Sequence, residues 1–212
     1  MANTTLVLGT HNRKKGAELA GLLAPYGFRL VTLAEFDAPL NVVEDGDSFA
    51  ANAALKATQQ AVHLREWVLG EDSGIAVDAL DGSPGIYSAR FSGEDATDDD
   101  NNRLLLEKLE GIPEASRTAH YVCHMTVADS TGEIRAESEA RCFGSIRRDA
   151  VGDAGFGYDP LFEVMEYHQT FGQLGDAVKS VLSHRSRAFR LLLPQLVRLQ
   201  RDGEWINMAA KS

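Results

Sequence analysis

The sequence predicts an α/β fold in which a central mixed sheet is flanked by helices, formed as one structural unit over residues 1–212. Three observations lead to this class. Strand and helix patterns alternate early in the chain, and a long hairpin pattern follows later. No repeat period and no linker rich in Pro, Gly or Ser divides the sequence.

Apolar patterning sets the elements of the first half. Short apolar runs predict buried strands, and leucines or alanines at helical spacing predict the helices between them. Ser48 and Thr97 can cap two of these helices. In chain order we predict a strand at residues 6–8, a helix from 13 until Pro25 and Gly27, a strand at 29–33, a helix from 49 to about 63, a strand at 67–70, an extended segment at 75–80 and a helix at 98–109.

The second half begins with a hairpin. Residues 121–129 and 133–146 flank a turn at residues 130–132, and polar and apolar residues alternate approximately along the second arm, which is typical of a half-exposed antiparallel pair. The last helix is predicted to open at residues 183–185. Its apolar residues recur at the i, i+3, i+4, i+7, i+8 spacing of a helix that packs against a core: Phe189, Leu192, Leu193, Leu196 and Val197.

Composition narrows the function classes. The formal net charge is -10, which repels a nucleic-acid polyanion, so we expect no nucleic-acid partner. No apolar stretch is long enough to span a membrane and residues 1–8 lack the features of a signal peptide, so a cytoplasmic protein is expected. Cys123 and Cys142 are too few for a disulfide framework and are interpreted as free thiols.

Cations stand at two helix starts, where the helix dipole disfavours them. Arg13, Lys14 and Lys15 open the first helix, and residues 183–185 (SHR) open the last. Backbone N–H groups, dipole and side-chain cations would together favour a phosphate at such a site, and a triphosphate could join the two. A surface cationic cluster is the alternative, and no Walker A spacing follows Gly9.

Carboxylates provide the acidic counterpart. Glu71 and Asp72 are predicted to close the strand at residues 67–70, where ligands of open α/β sheets gather, although a plain strand-end turn would also explain them. Glu44 is a further carboxylate that a loop could bring near Asp72, and such oxygen ligands suit Mg²⁺ when phosphates complete its shell. Residues 98–100 (DDD) are interpreted instead as a solvated helix start that matches the helix dipole.

Two further segments carry polar or aromatic groups. Phe49, Asn52 and Lys56 share one stripe of their helix, and Lys56 taken alone would be expected to extend its ammonium to the surface. Residues 155–160 (GFGYDP) interleave glycines with aromatics, which allows a flat ligand to approach the backbone and stack on a ring. A structural aromatic turn is the competing interpretation.

Taken in order, six segments resemble the non-canonical purine nucleoside triphosphate pyrophosphatases, also called inosine/xanthosine triphosphatases. The resemblance covers about residues 6–199 and is specific because the segments occur together in the family's order. They are residues 10–15 (THNRKK), 44–53 (EDGDSFAANA), 71–75 (EDSGI), 84–93 (PGIYSARFSG), 155–160 (GFGYDP), and Lys179 with 183–185 (SHR).

The resemblance implies an elongated domain of two lobes, a homodimer, and Mg²⁺-dependent cleavage of inosine, deoxyinosine and xanthosine triphosphates to monophosphate and pyrophosphate. Asp72 matches the general base, and Glu44 and Asp72 match metal or catalytic carboxylates. The substrate-binding positions carried over are Thr10, Asn12, Lys15, Lys56, Ser73, Phe156, Gly157, Tyr158, Asp159, Lys179, His184 and Arg185.

The sequence departs from the family pattern at three positions. Glu71 stands where many members have Asp, which leaves a metal role for Glu71 open. Ala51 and Val178 replace acids that commonly precede Asn52 and Lys179. Two alternatives are a Maf-like pyrophosphatase acting on other modified nucleotides, whose arginine-rich start is not evident here, and a nucleotide-binding module without catalysis.

Overall fold

A computed structural model describes residues 4–205 and contains seven strands and five α-helices. The strands are β1 Thr4–Leu8, β2 Phe28–Thr32, β3 Val68–Val77, β4 Thr118–Ala128, β5 Ile134–Ile146, β6 Phe162–Val164 and β7 Gln169–Thr170. The helices are α1 Arg13–Leu23, α2 Phe49–Leu64, α3 Asp98–Lys108, α4 Phe171–Leu182 and α5 His184–Arg201.

The strands form one mixed sheet in the order β2-β1-β3-β4-β5-β6-β7. β1 pairs in parallel with both β2 and β3, whereas β6 pairs antiparallel with β5 and β7. The turn between β4 and β5 is far too short for a parallel crossover, so these strands form the predicted hairpin. The predicted α/β class with a mixed sheet and flanking helices is confirmed.

The chain divides into two compact units. The first takes its described residues from 4–72, 123–140 and 188–205, and the second consists of Ser73–Val122 and Arg141–Arg187. β3 contributes to both, because Asp72 ends a segment of the first unit and Ser73 begins a segment of the second. The single domain with two lobes stays a prediction.

Each unit has its own hydrophobic core. In the first, Leu6 and Leu8 of β1 lie in a cluster with Trp67 and the apolar stripe of α5, which includes Phe189 and Leu192. The second core gathers aromatic side chains from different elements, among them Tyr121, Phe162 and Phe171. Cys123 and Cys142 are free thiols, one in each core, as predicted. Burial raises the pKa of Cys142 to about 12, so this thiol is held in its unreactive form.

Two parts of the prediction were wrong or incomplete. β3 does not end at Glu71 and Asp72 but runs without a break to Val77, so both carboxylates lie in the middle of a strand. The segment at Ser73 and Gly74 stays extended because the Ser88 hydroxyl accepts a hydrogen bond from the Ile75 N–H, at 2.9 Å between Oγ and N. The sequence analysis also missed α4.

The separation of β3 and α2 is set at Gly70. A Cβ atom added there would lie 2.3 Å from the Ala53 carbonyl oxygen and 2.7 Å from the Ala57 nitrogen, both in the α2 backbone. Only a glycine permits an approach this close, because neither backbone can give way as the end of a flexible side chain could. α2 therefore packs directly on the strand that carries Asp72.

We expect Gly70→Ala to lower the free energy of unfolding by about 1 to 3 kcal/mol, the range for overpacking a close contact. Gly21→Ala is the matched control, because Gly21 is exposed within α1 and an added Cβ there meets nothing within 4 Å. Alanine should stabilise that helix by about 0.5 to 1 kcal/mol. Urea unfolding of both variants measures the two shifts, and a Gly70→Ala protein as stable as wild type would refute the close-packing argument.

Candidate functional site

A cluster of carboxylates and lysines lies in the first unit, where α1, α2, β3 and the loop before α2 each contribute side chains. We call it the carboxylate–lysine cluster. Its members are Lys15 from α1, Glu44 from the loop, Asn52 and Lys56 from α2, and Glu71 and Asp72 from β3. Four of these residues were predicted site residues, and Asn52 and Glu71 extend the set.

Lys56 is the centre of the cluster. Its Nζ lies 2.7 Å from Glu44 Oε2 and 3.1 Å from Asp72 Oδ1. The other oxygen of Asp72, Oδ2, accepts a hydrogen bond from Asn52 Nδ2 at 3.2 Å. The expectation that Lys56 alone would reach the surface is wrong, because two carboxylates hold its ammonium in a largely buried position.

Asn52 and Lys56 of α2 also hold the acidic loop that precedes this helix. Asn52 Oδ1 accepts a hydrogen bond of 2.9 Å from the Gly46 N–H, while its amide nitrogen binds Asp72. Asn52 and Lys56 are four positions apart on α2 and so face the same way. The i, i+4 spacing of an amide and an ammonium was the sequence signal for Asn52, but its two partners could not be predicted from it.

Glu71 faces away from Asp72, as consecutive residues of a strand must. It is 1% exposed, its Oε2 lies 3.0 Å from Lys15 Nζ, and its Oε1 accepts a hydrogen bond from Cys123 Sγ at 3.4 Å. In this structure Glu71 therefore holds Lys15, while Asp72 is held by α2.

For Asp72 and for Lys56, burial and the nearest opposite charges shift the pKa in opposite directions. Burial raises the pKa of Asp72, the ammoniums of Lys56 and Lys15 lower it, and the net direction is upward. Burial lowers the pKa of Lys56, but Asp72, Glu44 and Glu71 raise it more, so the net direction is again upward. Asp72 is consequently a stronger base than an ordinary aspartate, beside an ammonium that keeps its charge.

The cluster has the donor chemistry of a magnesium site. Mg²⁺ is usually bound through one or two protein carboxylates with phosphate and water completing its shell. Glu44 and Asp72 provide two carboxylates that already converge on one cation, the Lys56 ammonium. Within residues 4–205, no group of three or more His, Cys, Asp or Glu side chains could hold a metal ion. Glu44 and Asp72 match Mg²⁺ in donor type, since both are carboxylates.

The start of α1 has the predicted cations and a shaped loop before them. Asn12 caps the helix, because its Oδ1 accepts hydrogen bonds from the N–H groups of Lys14 and Lys15 at 3.0 and 3.2 Å. Thr10 Oγ1 accepts from the Asn12 N–H at 3.1 Å. The side chains of Thr10 and Asn12 therefore order the loop. Lys15, in the first turn of α1, is the cation that lies beside Glu71.

A second cluster lies in the second unit around Phe156, and we call it the aromatic–lysine cluster. Lys179 Nζ lies 2.6 Å from Asp159 Oδ2 and 4.0 Å from the centroid of the Phe156 ring. Asp159 Oδ2 also accepts a hydrogen bond from the Phe156 N–H at 2.8 Å. The cluster comprises Ser73, Tyr121, Phe156, Asp159, Lys179, His184 and Arg185.

Tyr121 completes this cluster from β4 and was not among the predicted site residues, because only its place in a strand could be inferred from the sequence. Its ring stacks on the His184 imidazole with 4.5 Å between centroids and 8° between planes. Its hydroxyl lies 3.4 Å from Asp159 Oδ1, and burial, then the nearby Asp159 charge, raise the pKa of Tyr121 well above its usual value. Arg185 donates from Nη2 to Ser73 Oγ at 3.0 Å, so its guanidinium is fixed on β3.

The loop at residues 155–160 is held by hydrogen bonds on several sides. The Gly157 N–H donates to Asp98 Oδ2 at 2.9 Å, and the Gly157 oxygen accepts from Asn102 Nδ2 at 3.0 Å. Tyr158 Oη donates to the Ser88 oxygen at 2.8 Å. The interpretation of residues 98–100 as a solvated helix start was incomplete, since Asp98 binds this loop and Asp100 forms a capping box with Thr97.

Comparison with known families decides the assignment of the chain. The model of the Ham1 family matches residues 6–195. The chain belongs to the Ham1 family. The match includes every residue of the two clusters.

Individual relatives cover nearly the whole chain. The dITP/XTP pyrophosphatase of Rhodopirellula baltica is 52% identical over 194 residues, which is 92% of this chain and 93% of the relative. That of Desulforamulus reducens is 47% identical, covering 92% of this chain and 96% of the relative. The Ham1 protein of Staphylococcus aureus has a similar structure, with a TM-score of 0.80 and 32% identity, covering 93% of this chain and 99% of that one.

Proposed function

We propose that this Ham1 family member hydrolyses non-standard purine nucleoside triphosphates, namely inosine, deoxyinosine and xanthosine triphosphates, to the monophosphate and pyrophosphate. The observation that carries the proposal is the buried Asp72, whose two oxygens are held by Lys56 and Asn52 and whose pKa is raised. The naming of its relatives as dITP/XTP pyrophosphatases supports the same reaction.

The carboxylate–lysine cluster takes the phosphate side of the substrate. Lys15 binds the β and γ phosphates at the positive end of the α1 dipole, because a helix N-terminus with a cation favours anions. Lys56 contributes a second ammonium. Both cations are paired with carboxylates, which keeps them oriented for a phosphate.

Asp72 acts as the general base. It accepts a proton from the water whose oxygen attacks the α-phosphorus, the bond from that phosphorus to the bridging oxygen breaks, and pyrophosphate leaves. Lys56 and Asn52 hold the two oxygens of this carboxylate in one orientation, which suits a base that must meet one water. Glu44 and Asp72 would hold Mg²⁺, and the bound ion would neutralise part of the negative charge of the phosphates.

The aromatic–lysine cluster takes the base. Phe156 stacks on the purine ring, and Lys179, His184 and Arg185 donate hydrogen bonds toward the 6-oxo edge. Ser73 contacts the substrate from β3 while it is held by Arg185. The loop residues Gly157, Tyr158 and Asp159 shape the surroundings of the ring. In the other cluster, Thr10 and Asn12 order the loop before α1, on the phosphate side.

The remaining expectations concern setting and assembly. We propose that the protein works as a cytoplasmic homodimer on a small nucleotide, without nucleic-acid partners. Its charge of -10 supports the last point. None of the helices within residues 4–205 is both long and apolar enough to cross a membrane.

The test of the proposal is product analysis on a nucleotide panel. The purified protein is incubated with Mg²⁺ and each of the inosine, xanthosine, adenosine and guanosine triphosphates, and the products are separated. Monophosphate and pyrophosphate from the first two are expected. Diphosphate and phosphate as products would exclude the proposed cleavage site, and absence of turnover would favour the binding module without catalysis.

Removing the Lys15 ammonium should mainly weaken triphosphate binding. We expect Lys15→Ala to raise KM for inosine triphosphate about 10-fold to 100-fold, the effect of losing one charge-assisted contact. Lys14→Ala is the matched control, since it removes a neighbouring cation from the same exposed helix start. Equal losses of affinity for inosine and for its triphosphate would contradict a phosphate role for Lys15.

A further inference from the structure

The first turns of α3 carry two side chains that bind one residue of the loop at 155–160. Asp98 accepts the Gly157 N–H at 2.9 Å, and Asn102, four positions later on the same helix face, donates to the Gly157 oxygen at 3.0 Å. Both backbone hydrogen-bonding groups of Gly157 are therefore used by α3.

The position that α3 holds is adjacent to the aromatic ring of the loop. Gly157 follows Phe156 directly and has φ +63°, a left-handed conformation that glycine adopts without strain. The Phe156 N–H is fixed separately by Asp159. With the Phe156 N–H and both backbone groups of Gly157 hydrogen-bonded, the loop has little freedom to reorient that ring.

Asn102 shows an arrangement that packing alone does not explain. Its Oδ1 is buried, and within the described chain it has no hydrogen-bond partner. A buried acceptor without a partner destabilises a protein, and an aliphatic side chain would avoid that penalty. The amide must point its nitrogen toward the Gly157 oxygen, because the reverse orientation would place two acceptors together. The amide is thus retained for the bond to the loop.

We infer that Asp98 and Asn102 are positioning residues for base selection, which hold the loop so that Phe156 and its neighbours meet the purine in one fixed orientation. The inference rests on the proposed function and extends it to α3, a helix that contributes no residue to either cluster. A loop that is ordered before binding gains affinity and selectivity, because the substrate does not have to order it.

The test compares two neighbouring carboxylates. Asp98→Ala removes the hydrogen bond to Gly157. Asp99→Ala removes an exposed carboxylate of the same helical turn, and this carboxylate has no hydrogen-bond partner within residues 4–205. We expect Asp98→Ala to raise KM for inosine triphosphate about tenfold, with kcat within about twofold, as for the loss of one charged hydrogen bond. Asp99→Ala should match the wild type.

Two more measurements separate positioning from general stability. Asp98→Asn keeps an oxygen that can accept the Gly157 N–H and should restore most of the affinity. Inhibition by inorganic tripolyphosphate should be unchanged in every variant, because that anion has no base, while the preference for inosine over adenosine triphosphate should fall in Asp98→Ala. The thermal midpoint of each variant is recorded alongside.

Asn102→Ala is an independent test, because it removes the other hydrogen bond between α3 and Gly157. It should raise KM by a similar factor, and the double variant with Asp98→Ala should lose less than the product of the single effects, because both bonds hold one residue. Equal KM values for Asp98→Ala and Asp99→Ala, or a loss confined to kcat, would overturn the inference. If the wild type itself fails to cleave inosine triphosphate, the proposed function fails instead, and the two failures are distinguished by that one measurement.

Discussion

Asp72→Asn should leave a folded protein that binds inosine triphosphate but turns it over at least about a hundred times more slowly, the scale of losing a general base. Asparagine has nearly the same shape, and its amide oxygen can still accept a hydrogen bond from Lys56 or Asn52, which hold the carboxylate in the wild type. What it cannot do is accept a proton from water.

The measurement is kcat under saturating substrate, with substrate affinity and the thermal midpoint determined on the same preparations. Asp149→Asn is the matched control, because it makes the same chemical change at an exposed loop position. If Asp72→Asn kept near-wild-type turnover, Asp72 would not be the base, and the proposal would lose the observation that carries it.

The second large effect concerns the choice of base. We expect kcat/KM for inosine triphosphate to exceed that for ATP by about four powers of ten, the discrimination of a site built to hydrogen-bond one substrate group. Lys179, His184 and Arg185 are each at most 4% exposed. They would donate to a 6-oxo group, whereas the 6-amino group of adenine would leave buried donors facing another donor.

Xanthosine triphosphate should behave like inosine triphosphate, and GTP should be discriminated less strongly than ATP. Guanine shares the 6-oxo group, so its exclusion depends on the 2-amino group, and xanthine carries an oxygen at that position, so size alone is not the filter. Steady-state kcat/KM for the four nucleotides at saturating Mg²⁺ gives the ranking. ATP cleaved as efficiently as inosine triphosphate would refute the assignment of the base site.

Local sequence signals predicted the parts of the fold in which local preferences and tertiary structure agree. Ser48 and Thr97 cap their helices as predicted, and the alternating burial of β5 follows its alternating polarity. β3 was predicted to end early because Ser73 and Gly74 favour turns when taken alone. The contact with Ser88, distant in sequence, keeps that segment extended.

Helix α4 was missed for a related reason. It contains Gly172 and Gly175, and Gly175 has non-helical angles of φ 71° and ψ 179° inside the helix. Glycines lower helix propensity, so the pattern gave no clear helix. Its Thr170 cap with Gln173 was a usable signal, and the helix matters because it carries Lys179.

The sequence could indicate many residues of the two clusters, although not Tyr121, and it could not indicate which of them pair with each other. The order of the motifs was enough to suggest that Lys56, Glu44 and Asp72 lie together. The pairing of Glu71 with Lys15, and of Asp72 with Lys56, depends instead on which face of β3 each carboxylate occupies. The tie between Asp98 and Gly157 joins residues 59 positions apart, which no local pattern encodes.

The backbone contact at Gly70 bears on how this protein can change over evolution. At this point the spacing between α2 and β3 is limited by main-chain atoms and not by a side chain at position 70. Any side chain at position 70 would push the helix that carries Lys56 away from the strand that carries Asp72, whereas a substitution elsewhere in the first unit leaves this contact itself in place. Sequences can therefore diverge widely around this contact and still inherit the same geometry, provided that position 70 remains glycine.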